Sequence, residues 1–346
     1  MPIPKLLLTC LLASLAVLAR AEDIDPYEGE VVVADQSEAE RTASLGKALA
    51  AALVRLTGRA DAGSAAGAAL SRAPELLRRY RYRQETDPAR PGQLRTVLGA
   101  RFDPAGLEAL LAEQGLPIWP SPRPTPVVWL AIDDGRGPRL LGDAQSSAVA
   151  ALTRRARERG LSLSYPLLDL IEQQRVPVAA LWQGDSTAAR EASARYQTRL
   201  ALIGRLYRSA SGWTAEWALW DGPRRLGAVS RSAPDAATVL AEGADLAADL
   251  IAAQARVTVA ASGPDGRYPV WVEGVGSAED YVRVMAFLGR SSVVRGILVQ
   301  EAEGDRLRLE LDLRGGLPAL RAVVEAGDVL AVQGEDPFEG RLRVVP

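Results

Sequence analysis

Five prolines, Pro117, Pro120, Pro122, Pro124 and Pro126, fall within ten residues. Each removes a backbone N–H and fixes φ at roughly −65°, so the segment can neither continue a helix nor pair as a central strand. It reads as an extended, semi-rigid connector. A chain of 346 residues interrupted in this way is long enough to bury two or three separate cores. The expected fold class is α/β and α+β in three small modules: an N-terminal α/β module over 22–116, the Pro-rich linker 117–126, a central α/β module over 127–258 and a C-terminal module over 268–334.

The local patterns supply the elements. Residues 27–33 are β-rich, and Ser37 with Glu40 forms a capping box ahead of Leu45, Leu49, Leu53 and Leu56 at helical spacing, with Gly58 at the left-handed end. Residues 60–69 read as a loop, 74–79 as a short helix, 93–102 as a strand and 103–114 as a helix. In the central module 127–132 is a continuous apolar run of a strand covered on both faces. Helices at 144–159 and 186–196, with a short β-like run at 161–164 between them, precede a second buried strand at 200–206. A meander over 213–220 and 224–229 and a helix over 235–255 complete that module. In the last module, Leu307, Leu309, Leu311 and Leu313 alternate with Arg308, Glu310 and Asp312, one wet face and one buried. With strands at 268–275, 293–302 and 329–332 and helices at 277–288 and 317–326, the order β-α-β-β-α-β is that of a ferredoxin-like split unit.

The first 21 residues have a different logic. Lys5 precedes the apolar run Leu6 to Leu18, and Ala19-Arg20-Ala21 follows, the layout of a secretory signal peptide cleaved after Ala21. The run is shorter than the roughly 20 apolar residues of a spanning helix, and no later segment is long and apolar enough, so a periplasmic protein without a transmembrane segment is expected. Cleavage removes Lys5, Arg20 and Cys10, leaving 39 basic against 43 acidic side chains and neither cysteine nor histidine. That removes disulfides, thiol nucleophiles, imidazole metal ligands and every triad that needs a base titrating near neutrality. No cofactor and no metal is expected.

Among the remaining chemistry, Asp133-Asp134-Gly135 ends a buried strand, where α/β sheets place ligands, although Asp and Gly are also ordinary turn residues. Arg78-Arg79-Tyr80-Arg81-Tyr82-Arg83 interleaves bases and aromatics. Alternation puts Tyr80 and Tyr82 on one face and Arg79, Arg81 and Arg83 on the other, an amphipathic strand with a solvated arginine face. The negative mature charge and export argue against nucleic acid, and an acidic partner such as an anionic lipid or glycan is the alternative. Trp213 and Trp217 share a strand face and, with Trp182, are candidate anchors of an aromatic groove, although such tryptophans are more often core or half-buried sheet residues. Asp133, Asp134, Trp182, Trp213, Trp217, Arg79 and Arg81 are thus the candidate ligand-binding residues, and no catalytic residue is assigned.

Tyr27 to Ser37, Leu53 to Arg59, Arg101-Phe102-Asp103-Pro104, Gly115 to Trp119, Trp129 to Gly135, Pro166 to Leu170 and Leu202 to Leu206 together resemble the domain of unknown function 2066 family of exported proteobacterial proteins. Gly204-Arg205-Leu206 followed by a hairpin also resembles the small α/β domains of envelope accessory proteins. The resemblance implies export and the domain order, and carries no catalytic motif. The expected function is a non-catalytic binding or accessory protein of the envelope, with an envelope protein or glycan as partner. The alternatives are a carboxylate-dependent enzyme acting on an envelope glycan, for which Asp133, Asp134 and Asp169 are the carboxylates to inspect, and a small-ligand-binding protein using an aromatic groove.

Overall fold

The computed structural model describes residues 24–88, 90, 92–142, 149–210, 212–259, 263–291, 293–327, 329–334 and 339–345. The expected signal peptide and the start of the expected 144–159 helix lie outside these. The fold is mixed α/β, with eleven α-helices and three sheets among the described residues.

The first sheet is antiparallel, in the order β1 (Glu28–Val33), β3 (Leu94–Phe102), β2 (Leu77–Thr86). Helix α1 (Glu38–Thr57) starts where the Ser37 hydroxyl accepts the Glu40 N–H at 3.2 Å, and ends at Gly58, φ 68°, whose N–H returns to Val54 O. It packs so closely on β1 that a Cβ at Gly29 would lie 1.8 Å from Ala48 O. Residues 60–69, expected as loop, contain α2 (Ala62–Ala65) and the start of a 3-10 turn, Gly67–Arg72. Helix α3 (Ala73–Leu76) is a single turn. The expected helix to 79 gives way to β2 at Leu77, because pairing with β3 offers the aromatic run 80–82 a sheet. Helix α4 (Pro104–Glu113) is capped by Asp103.

The central sheet runs β5 (Arg139–Leu141), β4 (Val127–Asp133), β6 (Leu200–Ser209), β7 (Gly212–Asp221), β8 (Arg224–Ala233), with β4 and β6 parallel and the other pairs antiparallel. Helices α5 (Ala150–Glu158) and α9 (Ala236–Val259) cover one face, where Val128, Leu130, Leu202 and Trp217 are buried. On the other face Val127, Trp129, Ala131 and Ile203 pack with residues of α7 (Val178–Trp182) and α8 (Thr187–Ala192), which follow α6 (Leu170–Arg175). Strand β4 is therefore covered on both sides, as its unbroken apolar run requires.

In the third sheet, β9 (Gly266–Glu273), α10 (Ala278–Arg290), β10 (Val294–Glu303), β11 (Arg306–Leu313), α11 (Gly316–Ala326) and β12 (Leu330–Val332) follow the expected order of elements. The sheet itself differs from a four-stranded split unit. A further strand, β13 (Arg341–Val344), lies parallel to β9 and antiparallel to β12, giving the order β10-β11-β9-β13-β12. The place beside β9 is filled by β13, and β12 is displaced to the edge.

Two arginines join the first module to the second. The last carbonyls of a helix have no intrahelical donor and carry the negative end of its dipole. Arg123, from the proline segment, donates to Arg55 O at 2.8 Å and Leu56 O at 3.1 Å, and also to Trp119 O and Gly160 O. Its guanidinium lies 4.4 Å from the centroid of the buried Trp119 ring. Burial pushes its pKa down to about 9, which still leaves it charged at neutral pH. Arg159, fully buried, donates to Gly58 O and forms ion pairs with Asp245 and Asp249 of α9.

Candidate functional site

The largest exposed aliphatic cluster of the central module lies in the stretch Pro166 to Glu172. Leu167, Leu170 and Ile171 are 61%, 76% and 57% exposed, at the entry to α6. Short loops with exposed apolar side chains ordinarily collapse or move. This one is held by hydrogen bonds. Asp169 caps α6 by accepting the Glu172 N–H at 2.9 Å, and Glu172 reaches back to accept the Leu168 N–H at 2.7 Å, one residue before the N-cap amide that a capping box uses. The other Glu172 oxygen accepts the Tyr196 hydroxyl at 2.6 Å and Arg195 Nη1 at 3.3 Å, and Tyr196 in turn accepts the Leu167 N–H.

The electrostatics follow from burial. Glu172 is 2% exposed and acts as an acceptor for three donors. Hydrogen bonding from the Glu172 amide, and then from Arg195, lowers the Asp169 carboxyl below its usual range. Burial, reinforced by the hydrogen bond to Glu172, pushes the Tyr196 hydroxyl up to about 12. Leu168 sits at φ 52°, a left-handed conformation that costs a branched side chain of order 1 kcal/mol. That conformation lets the Leu168 side chain pack inward against the core while its neighbours face outward. The rim consists of the exposed Gln173, Gln174 and Arg175 and the half-exposed Arg195.

The expected site residues do not converge. Asp133 accepts the Gly135 and Gly137 N–H groups at 2.8 and 3.1 Å, an Asx turn, and Asp134 pairs with Arg139 through both oxygens. Trp217 is core: it is 2% exposed, donates Nε1 to Val239 O at 3.0 Å, and is sandwiched by Gly204 and Gly243. Trp213 is half-buried on that face beneath Arg208, and Trp182 is on the opposite face, edge-on to Tyr207. Arg79 and Arg81 lie on the outer face of the first sheet, where Arg81 binds Glu28 at 2.8 Å and Arg83 binds Glu30 and Glu85. The arginine run is largely neutralised by carboxylates distant in sequence.

Two open clefts stand out among the described residues. One of about 1020 Å³ lies between the proline segment and the third module, bordered by Pro120, Pro122, Ile251, Val282 and Phe287. The other, of about 330 Å³, lies over β6 to β8 beside Arg205, Glu216 and Trp220. Neither is lined by Asp133, Asp134 or Asp169. Burial raises the Glu216 carboxyl, but hydrogen bonds from Arg205 and Tyr207 outweigh it and hold the group below its usual value, the wrong direction for a general acid. No group of three or more Asp, Glu or Cys among the described residues is placed to hold a metal ion, and no described helix is long and apolar enough to cross a membrane.

Residues 21–120 match a domain of unknown function, DUF8605. This corrects the expected resemblance to the domain of unknown function 2066 family, since the match is to a different domain. The residues that suggested it in this part of the chain, such as Leu53 to Arg59, are a helix end and its left-handed glycine cap, features many α/β domains need. No curated protein and no solved structure matches the chain.

Proposed function

We propose that the chain is an exported, non-catalytic binding protein of the cell envelope that docks on a partner protein through Leu167, Leu170 and Ile171. The observation that carries this reading is the buried Glu172 network, which holds three exposed aliphatic side chains on a backbone it fixes. Preorganisation of this kind lowers the entropy cost of association. An apolar centre with a glutamine and arginine rim has the composition of a protein interface. A bilayer-binding segment would instead carry an aromatic and basic amphipathic face. The absence of histidine and cysteine from the mature sequence and the dispersal of Asp133, Asp134 and Asp169 favour binding over catalysis.

The test is a photo-reactive amino acid placed at Ile171 in cells, with Leu298 on the third module as the control position. The expected result is one discrete adduct from position 171 that disappears when Leu170→Ser is added. Equal labelling from both positions, or an adduct indifferent to Leu170→Ser, overturns the reading.

A further inference from the structure

The third sheet has one face covered and one open. Val270, Val272, Leu307, Leu309, Leu311 and Leu342 point to α10 and α11 and are buried. Their neighbours in sequence, Trp271, Arg306, Arg308, Arg341 and Arg343, point away and are exposed. Trp271 stands on β9, the middle strand of five, and is 38% exposed. Register places Arg308 directly opposite it on β11 and Arg341 directly opposite it on β13. Residues opposite one another on one face have Cβ atoms about 5 Å apart, so the indole stands between two guanidinium-bearing chains, with Arg343 on the next diagonal.

The carboxylates of this face decide which arginines are free. Glu273 pairs with Arg306 at 3.7 Å, Glu310 with Arg267 at 3.5 Å and with Gln300, and Asp312 with Arg295 at 3.0 Å. Glu301 and Glu303 are carried by the edge strand β10, opposite Arg308 and Arg306. Arg308, Arg341 and Arg343 make no ion pair with a described residue, and the carboxylate that register places opposite Arg343, Glu273, is drawn to Arg306. Trp271 is therefore flanked by unpaired cations on β11 and β13, with the carboxylates Glu301 and Glu303 out at the β10 edge. None of these arginines stacks on the indole, so the ring is left uncapped by cations.

We propose that this face binds an acidic polysaccharide, with one sugar ring stacked on Trp271 and its carboxylates held by Arg341 and Arg343. A planar guanidinium fork matches a carboxylate bidentately, and an exposed aromatic beside such forks selects a ligand that alternates a flat apolar surface with negative charge. The binding strand side is β9 to β13, because ligand charge placed toward β10 would meet Glu301 and Glu303.

The experiment titrates the purified mature chain with an oligogalacturonate, with maltohexaose and with a ten-residue oligothymidylate, read by calorimetry. The expected outcome is binding to oligogalacturonate only, weakened at least tenfold by the double change Arg341→Gln, Arg343→Gln and by Trp271→Ala, less by Trp271→Phe, and weakened by added salt. Near-ultraviolet circular dichroism checks that these exposed substitutions leave the fold intact, and Leu170→Ser serves as a variant that must not alter this binding. No binding to oligogalacturonate, binding unaffected by the Trp271 and Arg341/Arg343 changes, or equal binding of the neutral sugar overturns the proposal. Preferential binding of the oligothymidylate overturns it too and assigns the face to single-stranded nucleic acid.

Discussion

Arg159 Nη2 donates to Gly58 O at 2.7 Å, and through this bond a side chain of the central module closes the C-terminus of α1 in the first module. The same guanidinium binds Asp245 and Asp249, so one buried cation at the end of α5 joins α1 to α9. Replacing Arg159 with Ala strands the Gly58 carbonyl and empties the space of a fully buried side chain, while Asp245 keeps Arg155 and Asp249 is mostly exposed. The expected loss is about 2 kcal/mol in urea unfolding, the scale of leaving a buried acceptor unsatisfied. Arg155→Ala, whose partner Asp245 keeps Arg159, is expected to cost far less.

Trp217 gives a test in which two effects oppose each other. Gly243 lies in α9, where alanine ordinarily gains about 1 kcal/mol over glycine. Here a Cβ would lie 2.6 Å from the indole, and one at Gly204 would lie 2.4 Å from it. Overpacking of this kind costs about 2 kcal/mol, so Gly243→Ala is expected to destabilise despite its better helix propensity. Trp217→Leu in the Gly243→Ala background is expected to cost less than the two changes added, a coupling measurable by a double-mutant cycle.

The Glu172 network makes a prediction at high pH. Burial and the bond to Glu172 raise the folded-state pKa of Tyr196 to about 12 from the ordinary 10.0. Its contribution to stability is complete below pH 10 and is lost as the pH rises through 12, because the unfolded chain releases the proton first. The urea midpoint is expected to fall between pH 10 and 12, and Tyr196→Phe is expected to reduce that fall.

Glu172→Gln removes one of the two equivalent acceptor oxygens and the charge that Arg195 meets. The expected effect is local: faster hydrogen exchange at the Leu167 and Leu168 amides and loss of the Ile171 adduct, with little change in the global unfolding midpoint.

Much of the fold was legible where one periodicity dominated. Leu45 to Leu56 and Leu307 to Leu313 declare a helix face and a strand face without help from the rest of the chain. The expected helix over 74–79 overruns α3 because the strand pairing that ends it is made with β3, about twenty residues onward. Strand β13 escaped because Arg341-Leu342-Arg343-Val344 is too short to show a period. The candidate site was legible only in part. Asp169 and Glu172 stand at the local spacing of a helix cap, which the sequence carries, but the burial of Glu172 depends on Arg195 and Tyr196 folding back across α6. Trp271 carried no local signal, since its flanking arginines come from strands 37 and 70 residues later in the chain.

The insertion of β13 bears on the route by which the third sheet assembles. Strand β12 leaves the ribosome before β13 and runs antiparallel to β9, so its direction suits the slot that β13 finally occupies. Settling there early would form a four-stranded sheet and shut out the later strand. The native order thus has a near neighbour built from the same strands, and the two differ in whether β9 pairs with β12 or with Arg341 to Val344, the pairing of higher sequence separation and hence the one expected to form more slowly.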